Sequence, residues 1–203
     1  MRAAIMTDNS DKRAETTVVL NAEAMRERIE RMVEEIVEDN PDIESLVVLG
    51  ILSRGRPLAD RIAARIGALT GHTPQVGSLA TTLYRDDFRG GAGPPKPRGW
   101  THFHFNVDGQ TVLLVDDVLA AGRTIRAAMD EVMDYGRPKR IQLACLIDRG
   151  RRELPIQADY LGYSLPTEAN EWVLVRLAES DGEDVVLLER RPMESEAEGA
   201  QGP

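Results

Sequence analysis

Apolar residues fall along this chain in two rhythms, short unbroken runs and stripes at three- and four-residue spacing. The runs Leu46 to Leu52, Thr111 to Val115 and Arg140 to Ile147 read as strands, and the second has the Val/Leu character of a strand buried on both faces of a parallel sheet. Between and before them come helical stripes. Met25, Ile29, Met32, Val33, Ile36 and Val37 share one face after Asn21, a plausible N-cap, and the helix stops at Asp39-Asn40-Pro41. Leu58, Ile62 and Ile66 follow Pro57, which suits a first helical turn. Ile125, Met129 and Val132 follow Thr124, and Gly136 and Pro138 end that helix.

Shorter strands are expected at Thr16 to Leu20, Gln75 to Arg85 and Asp159 to Tyr163. Glu171 to Leu177 and Asp184 to Glu189, joined through Asp181-Gly182, should form a hairpin at the sheet edge. Asp108-Gly109 turns the chain into the Thr111 strand. These elements make one α/β domain over residues 16–190, with polar, aperiodic residues 1–15 and acidic residues 191–203 expected to be disordered. The stretch from Arg89 to Gly99 is rich in Gly and Pro and too long for an ordinary turn. Such stretches are lids or disordered segments.

The chain has 203 residues, enough for one sizeable core. Its formal net charge of −9 argues against a general nucleic-acid coat, while leaving room for a local basic face. Cys145 is the single cysteine, so no disulfide framework forms within the chain. No apolar run approaches the length of about eighteen residues that spans a bilayer, and the first residues lack the apolar core of a secretion signal. A reduced, cytoplasmic setting is the expectation. His102 and His104 would share a face of a strand, but no third ligand accompanies them and a metal pair is not favoured.

The chemistry concentrates in Val112-Leu-Leu-Val-Asp116-Asp117-Val-Leu-Ala-Ala-Gly122-Arg-Thr124. Two carboxylates end an apolar strand, where bare charge is costly. A small-residue loop and a helix N-terminus follow, and the converging N–H groups and helix dipole suit a phosphate. The acidic pair suits the hydroxyls of a ribose, so the stretch fits a ribose 5-phosphate group. Neither a Walker loop nor a dinucleotide fingerprint is present. The bland alternative is a strand-to-helix turn with two capping aspartates.

This stretch resembles the phosphoribosyl-diphosphate (PRPP) motif of type I phosphoribosyltransferases. The longer run from Asp116 to Gly162, with VVLGILSRGRPLADRIAARI and TLYRDDF upstream, resembles the PyrR family of pyrimidine-operon regulators with uracil phosphoribosyltransferase activity. The resemblance implies a type I phosphoribosyltransferase fold, a central parallel sheet flanked by helices with a flexible hood loop at about 86–105. It implies conversion of uracil and PRPP into UMP and pyrophosphate, with Mg²⁺ carried by PRPP and no direct protein ligand assigned. Catalysis would fall to Asp116, Asp117, Arg54 and Arg85. Substrate would be held by Ser53, Arg54, Arg85, Arg89, Asp116, Asp117, Ala120, Ala121, Gly122, Arg123, Thr124, Arg149 and Val173. Arg149 would lie near the diphosphate or base, and Val173 near the uracil. A homo-oligomer, dimer or tetramer, is implied, as is leader messenger RNA on a basic face that includes Arg151 and Arg152.

Several positions depart from the family's pattern. Ala120-Ala121-Gly122 stands where Thr-Gly is usual, removing one hydroxyl from the phosphate, worth about 1.5–3 kcal/mol for a bond to a charged group. Leu52-Ser53 stands where Lys-Thr is usual, and Ala80 where an acidic residue is frequent. PRPP binding is therefore expected to survive better than turnover, and a PRPP- or nucleotide-binding regulator with little catalysis is the alternative reading. Arg151 replaces a histidine, while Gln157, Tyr163 and Ala169 fall where Arg or Lys is common, so the RNA face is expected to be thin.

Overall fold

The computed structural model describes residues 15–81 and 100–190. The expected disordered ends, Arg85, and most of the expected hood loop with Arg89 lie outside the described residues.

Five parallel strands form the main sheet in the order β3-β2-β4-β5-β6. They are β2 (Leu46–Ile51), β3 (Gln75–Leu79), β4 (Thr111–Leu119), β5 (Arg140–Asp148) and β6 (Tyr160–Ser164). Helices cover both faces, as an all-parallel sheet requires. The stripes of α1 (Ala22–Asp39) and α2 (Gly55–Thr70) pack on one face with Leu113 and Val115. The stripe of α3 (Arg123–Tyr135) packs on the other with Val112 and Leu114. Asn21 caps α1 as expected, its side chain accepting from the Ala24 N–H at 2.9 Å.

Alternation along β4 thus feeds two cores, each made of side chains almost wholly removed from water. Close approach of α2 to the sheet depends on two glycines. A Cβ on Gly50 would stand 2.5 Å from the Arg56 Cα, and one on Gly55 would collide with the Val115 carbonyl oxygen.

Several of the sequence expectations need correction. β3 ends at Leu79, short of the expected Arg85, and of the remainder only Ala80 and Thr81 are described, both outside the strand. The far end of the expected hood loop is tied to the sheet: Ser78 and His102 exchange backbone hydrogen bonds at 3.0 and 2.9 Å, and Phe103 and Phe105 pack on the α3-side core. Apolar residues in a Gly/Pro-flanked stretch were enough to anchor it.

A further correction concerns the hairpin. β7 (Glu171–Arg176) and β8 (Val185–Arg190) pair antiparallel as expected, joined by the short helix α4 (Ala178–Asp181). They do not extend the main sheet. With β1 (Glu15–Leu20) they form a separate sheet in the order β1-β8-β7. Alternation marks a strand but does not say which edge it joins, and the partner here comes from the other end of the chain. Leu20, Val175, Leu177 and Val186 sink this second sheet into the core shared with α1 and α2.

Candidate active site

In the order β3-β2-β4-β5-β6 the chain leaves β2 toward one edge of the sheet and β4 toward the other. The crevice beyond the carboxyl ends of these two strands is where open parallel sheets bind ligands. The segments bordering it are Leu52–Arg54 after β2 and residues 120–122 after β4.

The acidic pair lies within β4, two residues before its end, rather than terminating the strand. Asp116 pairs in register with Cys145 of β5 and is buried, with Oδ1 accepting from the Asp117 N–H at 3.0 Å. Asp117 is partly exposed. Burial raises its carboxyl above the ordinary value, against the Asp116 hydrogen bond, the positive charge of Arg54 and its own backbone contacts. Asp117 therefore feels both its neighbour Asp116 and the positive charge of Arg54. Cys145, beneath the two carboxylates, is buried and its thiol is pushed well up by burial and by the Asp116, Asp117 and Asp148 charges, as suits an inert core residue.

Gly122 is the N-cap of α3, in the left-handed region at φ 91°, a conformation suited to glycine. It has no side chain to cap the helix, and α3 has no acidic residue in its first turn. The amide groups of the first turn have no carbonyl within the helix to bond, so an anion is the fitting partner. The loop before them is held from the other side. The Ala121 carbonyl accepts from Glu153 N and Leu154 N at 3.1 and 3.0 Å, and Arg123 pairs with Glu153 at 2.7 Å.

On the β2 side the Leu52–Ser53 peptide is cis, Ser53 is exposed, and Arg54 leads into α2. Arg54 is gripped by Asp181 of α4, Nη2 to Oδ1 at 2.9 Å and Nε to Oδ2 at 3.3 Å. Arg149 follows β5, donating Nε to Thr167 Oγ1 at 3.1 Å and Nη2 to the Glu171 carbonyl at 3.0 Å. That carbonyl opens β7, the strand carrying the half-buried Val173. Residues 15–179 match the phosphoribosyl transferase domain family. The "Bifunctional protein PyrR" of Pelotomaculum thermopropionicum is 52% identical over 176 residues, covering 86% of this chain and 97% of that protein.

The chain belongs to the PyrR family.

The PyrR relative from Streptomyces coelicolor is 46% identical over 188 residues, covering 92% of this chain and 96% of its own. Among solved structures, hypoxanthine phosphoribosyltransferase of Trypanosoma cruzi superposes with a TM-score of 0.67 at 16% identity, covering 87% of this chain and 97% of that one. A hypoxanthine-guanine phosphoribosyltransferase from Bacillus anthracis gives 0.62 at 20% identity, covering 87% and 99%. The fold is that of the type I phosphoribosyltransferases, as the motif implied.

Within this PyrR-family site the acidic pair on β4 and Arg54 at the entrance of α2 border one crevice, and the 120–124 loop lies beside the loop after β5. Arg85 and Arg89 lie outside the described residues. Sequence reasoning missed Asp181, read only as part of a turn, and Thr167, which orients Arg149. Both act through tertiary partners far away in the chain, and a single acidic or hydroxyl residue in a loop carries no local signal of that. No three His, Cys, Asp or Glu side chains converge on a metal site among the described residues. His102 and His104 rings meet edge-on with centroids 4.4 Å apart. None of the described helices is long and apolar enough to cross a membrane.

Proposed function

We propose that this protein is a uracil phosphoribosyltransferase, joining uracil to PRPP to give UMP and pyrophosphate, with a secondary role in regulating pyrimidine genes through a weak contact to leader RNA. The observation that carries the reading is the pairing of an acidic pair on β4, Asp116 buried and Asp117 partly exposed, with an uncapped helix N-terminus directly after it. Membership of a family whose curated relatives are named bifunctional supports the double role.

Asp116 and Asp117 hold the ribose hydroxyls, and their charge favours the oxocarbenium-like state as C1 leaves pyrophosphate and meets N1 of uracil. Backbone N–H groups of residues 121–124, with the Thr124 hydroxyl, hold the 5′-phosphate. Arg54 and Ser53 take the pyrophosphate, with Arg85 and Arg89 added from the hood, and Mg²⁺ arrives on PRPP as part of the substrate. Arg149 and Val173 face the base. No covalent intermediate is needed, so rate enhancement comes from orientation and preset charge. The reading of a nucleotide binder with little catalysis is not favoured, since acidic pair, phosphate loop and Arg54 stand together.

Cytoplasmic location and a homo-oligomeric state belong to the same proposal. The deciding experiment is a turnover assay with PRPP and uracil, hypoxanthine or guanine side by side. Uracil consumption alone supports the reading; turnover with purines only, or with none, defeats it.

A further inference from the structure

Arg152, expected on the RNA face, spends its donors inside the protein. Nη2 donates to Asp148 Oδ2 at 2.5 Å, Nη1 to the Ala120 carbonyl at 2.9 Å and the Gly150 carbonyl at 3.2 Å, and Nε to the Ile156 carbonyl at 2.7 Å. One planar group thereby joins the end of β5, the turn after it, the far side of that turn, and the first residue of the phosphate loop. The surroundings repeat the connection. Glu153 and Leu154 donate to the Ala121 carbonyl, and the Ile156 and Leu154 side chains lie 3.3 and 3.4 Å from where a Cβ on Gly122 would stand.

We propose that Arg152 is a positioning residue for the 5′-phosphate, fixing the carbonyl of Ala120 so that the following amide groups face one point. The inference rests on the reading of residues 120–124 as the phosphate cradle. A loop of Ala-Ala-Gly has no side chain of its own to hold its shape, and glycine at a helix entrance adds freedom that must be removed for the N–H groups to converge. A guanidinium can reach several acceptors in one plane, whereas an ammonium is a point donor on a flexible stem. Asp148 completes the device. Burial would raise its carboxyl, but the Arg152 hydrogen bond, the Gly150 N–H and the Arg152 charge outweigh this and hold it below the ordinary value. It therefore stays ionised opposite the guanidinium. An RNA phosphate could engage Arg152 only by dismantling these bonds.

The test uses the whole protein and the variants Arg152→Lys and Asp148→Asn, titrated with UMP, uridine and pyrophosphate. Arg152→Lys should lose roughly tenfold in UMP affinity, the scale of one charge-assisted contact, with uridine and pyrophosphate unchanged. Asp148→Asn should lose less, in the same direction. A general folding defect would weaken all three ligands in parallel, and that result, or unaltered UMP binding, overturns the proposal. Amide exchange of residues 120–124 without ligand reads the clamp independently. It should quicken roughly tenfold in Arg152→Lys, and unchanged exchange also overturns it. If the wild-type protein binds neither UMP nor PRPP, the functional reading fails while the exchange measurement still decides the clamp.

Discussion

Arg54 and Asp181 face each other through two hydrogen bonds, 2.9 and 3.3 Å long, between the entrance of α2 and the link joining β7 to β8. The cation proposed for pyrophosphate thus has a carboxylate partner before substrate arrives. That partner is itself fixed, accepting from the Leu177 N–H at 3.0 Å, and this bond, then Arg54, lowers its carboxyl below the ordinary value. The second sheet therefore reaches the chemistry by presenting Asp181, as well as through packing.

Asp181→Asn keeps the acceptor for Leu177 and removes the charge. Both side chains of the pair retain contact with water, so the ion pair itself contributes little stability. Pyrophosphate would no longer compete with a carboxylate, while Arg54 would be less firmly aimed. PRPP KM should fall by roughly twofold to fivefold, the span of an exposed ion pair, with kcat falling as well. Steady-state kinetics at low salt separate the two effects, and an increase in KM would count against competition.

Asp116→Asn and Asp117→Asn, made together, keep shape and remove the charge that favours the oxocarbenium-like state. Turnover should drop by orders of magnitude with a smaller loss of PRPP affinity, the pattern of an interaction made chiefly in the transition state. Because the Asp117 carboxyl is raised, its ionisation should set the acidic limb of the kcat/KM profile. Activity should climb with pH as Asp117 loses its proton, and Asp117→Asn alone should flatten that limb. Wild-type turnover in the double variant would remove the pair from the mechanism.

Ala121 and Gly122 should respond in opposite ways. Ala121→Thr restores a hydroxyl beside the phosphate without touching the carbonyl that Glu153 and Leu154 hold, so PRPP binding should be unchanged or tighter. Gly122→Ala puts a side chain at φ 91° and against Ile156, a conformation costing about 1–2 kcal/mol for an L-residue. Calorimetric titration with PRPP should show the second variant weaker and the first not.

Much of this was legible in the sequence, for identifiable reasons. Stripes such as Met25-Ile29-Met32-Val33-Ile36 state a helix and its buried face together, and all five are buried on α1. The phosphate loop was legible because its signal is local: strand, carboxylates, glycine and helix start within fourteen residues, Thr111 to Thr124. What escaped depends on distant pairing. β1 meeting β8, Asp181 meeting Arg54, and Arg152 reaching back to Ala120 each join parts of the chain whose local patterns are silent about the partner. Arg152 shows the hazard most directly, since an arginine in a polar loop reads as a surface cation until its acceptors are seen.

Acid should act on this fold in two opposed stages. Asp148, Glu179 and Asp184 all lie below their ordinary values. Burial works against this for Asp148 and Asp184 and is outweighed by Arg152 and Arg61; for Glu179 the Arg61 hydrogen bond leads. Carboxyls lowered in the folded state add stability above their unfolded values, about 3.8 for aspartate and 4.5 for glutamate, and that stability is lost as pH falls through the folded values. Asp117 and Glu131 are raised by burial, so the folded protein gains from acid as pH first falls through theirs. Denaturant midpoints should therefore hold level or rise slightly on mild acidification and then drop below about pH 4. Arg61→Gln, which removes the partner of both Glu179 and Asp184, should make that drop shallower. An equally steep fall in the variant would refute the assignment to Arg61.

RNA binding provides the last test, and the charges set its expected strength. The exposed Arg151 makes one long bond, 3.4 Å to the Thr167 carbonyl, and its guanidinium can still turn to a phosphate. Arg152 is committed to Asp148, Gly150, Ala120 and Ile156. Tyr163, where a cation was sought, lies under Arg28, whose guanidinium carbon sits 5.2 Å from the ring centre. Gln157 and Ala169 are exposed but uncharged, and the whole chain carries −9. Each phosphate contact contributes about 0.9 to the slope of log affinity against log salt on a duplex and about 0.7 on a single strand, so a thin patch predicts a shallow slope and weak binding at physiological salt. Titration of a pyrimidine-operon leader RNA at several salt concentrations, with and without UMP, measures this directly. Arg151→Gln should reduce the slope by about one contact, whereas Arg152→Lys should leave it unaltered because no phosphate contact is lost. Tight binding that strengthens with UMP, together with a slope that collapses in Arg152→Lys, would show that the loop opens on RNA and hands Arg152 over to a phosphate.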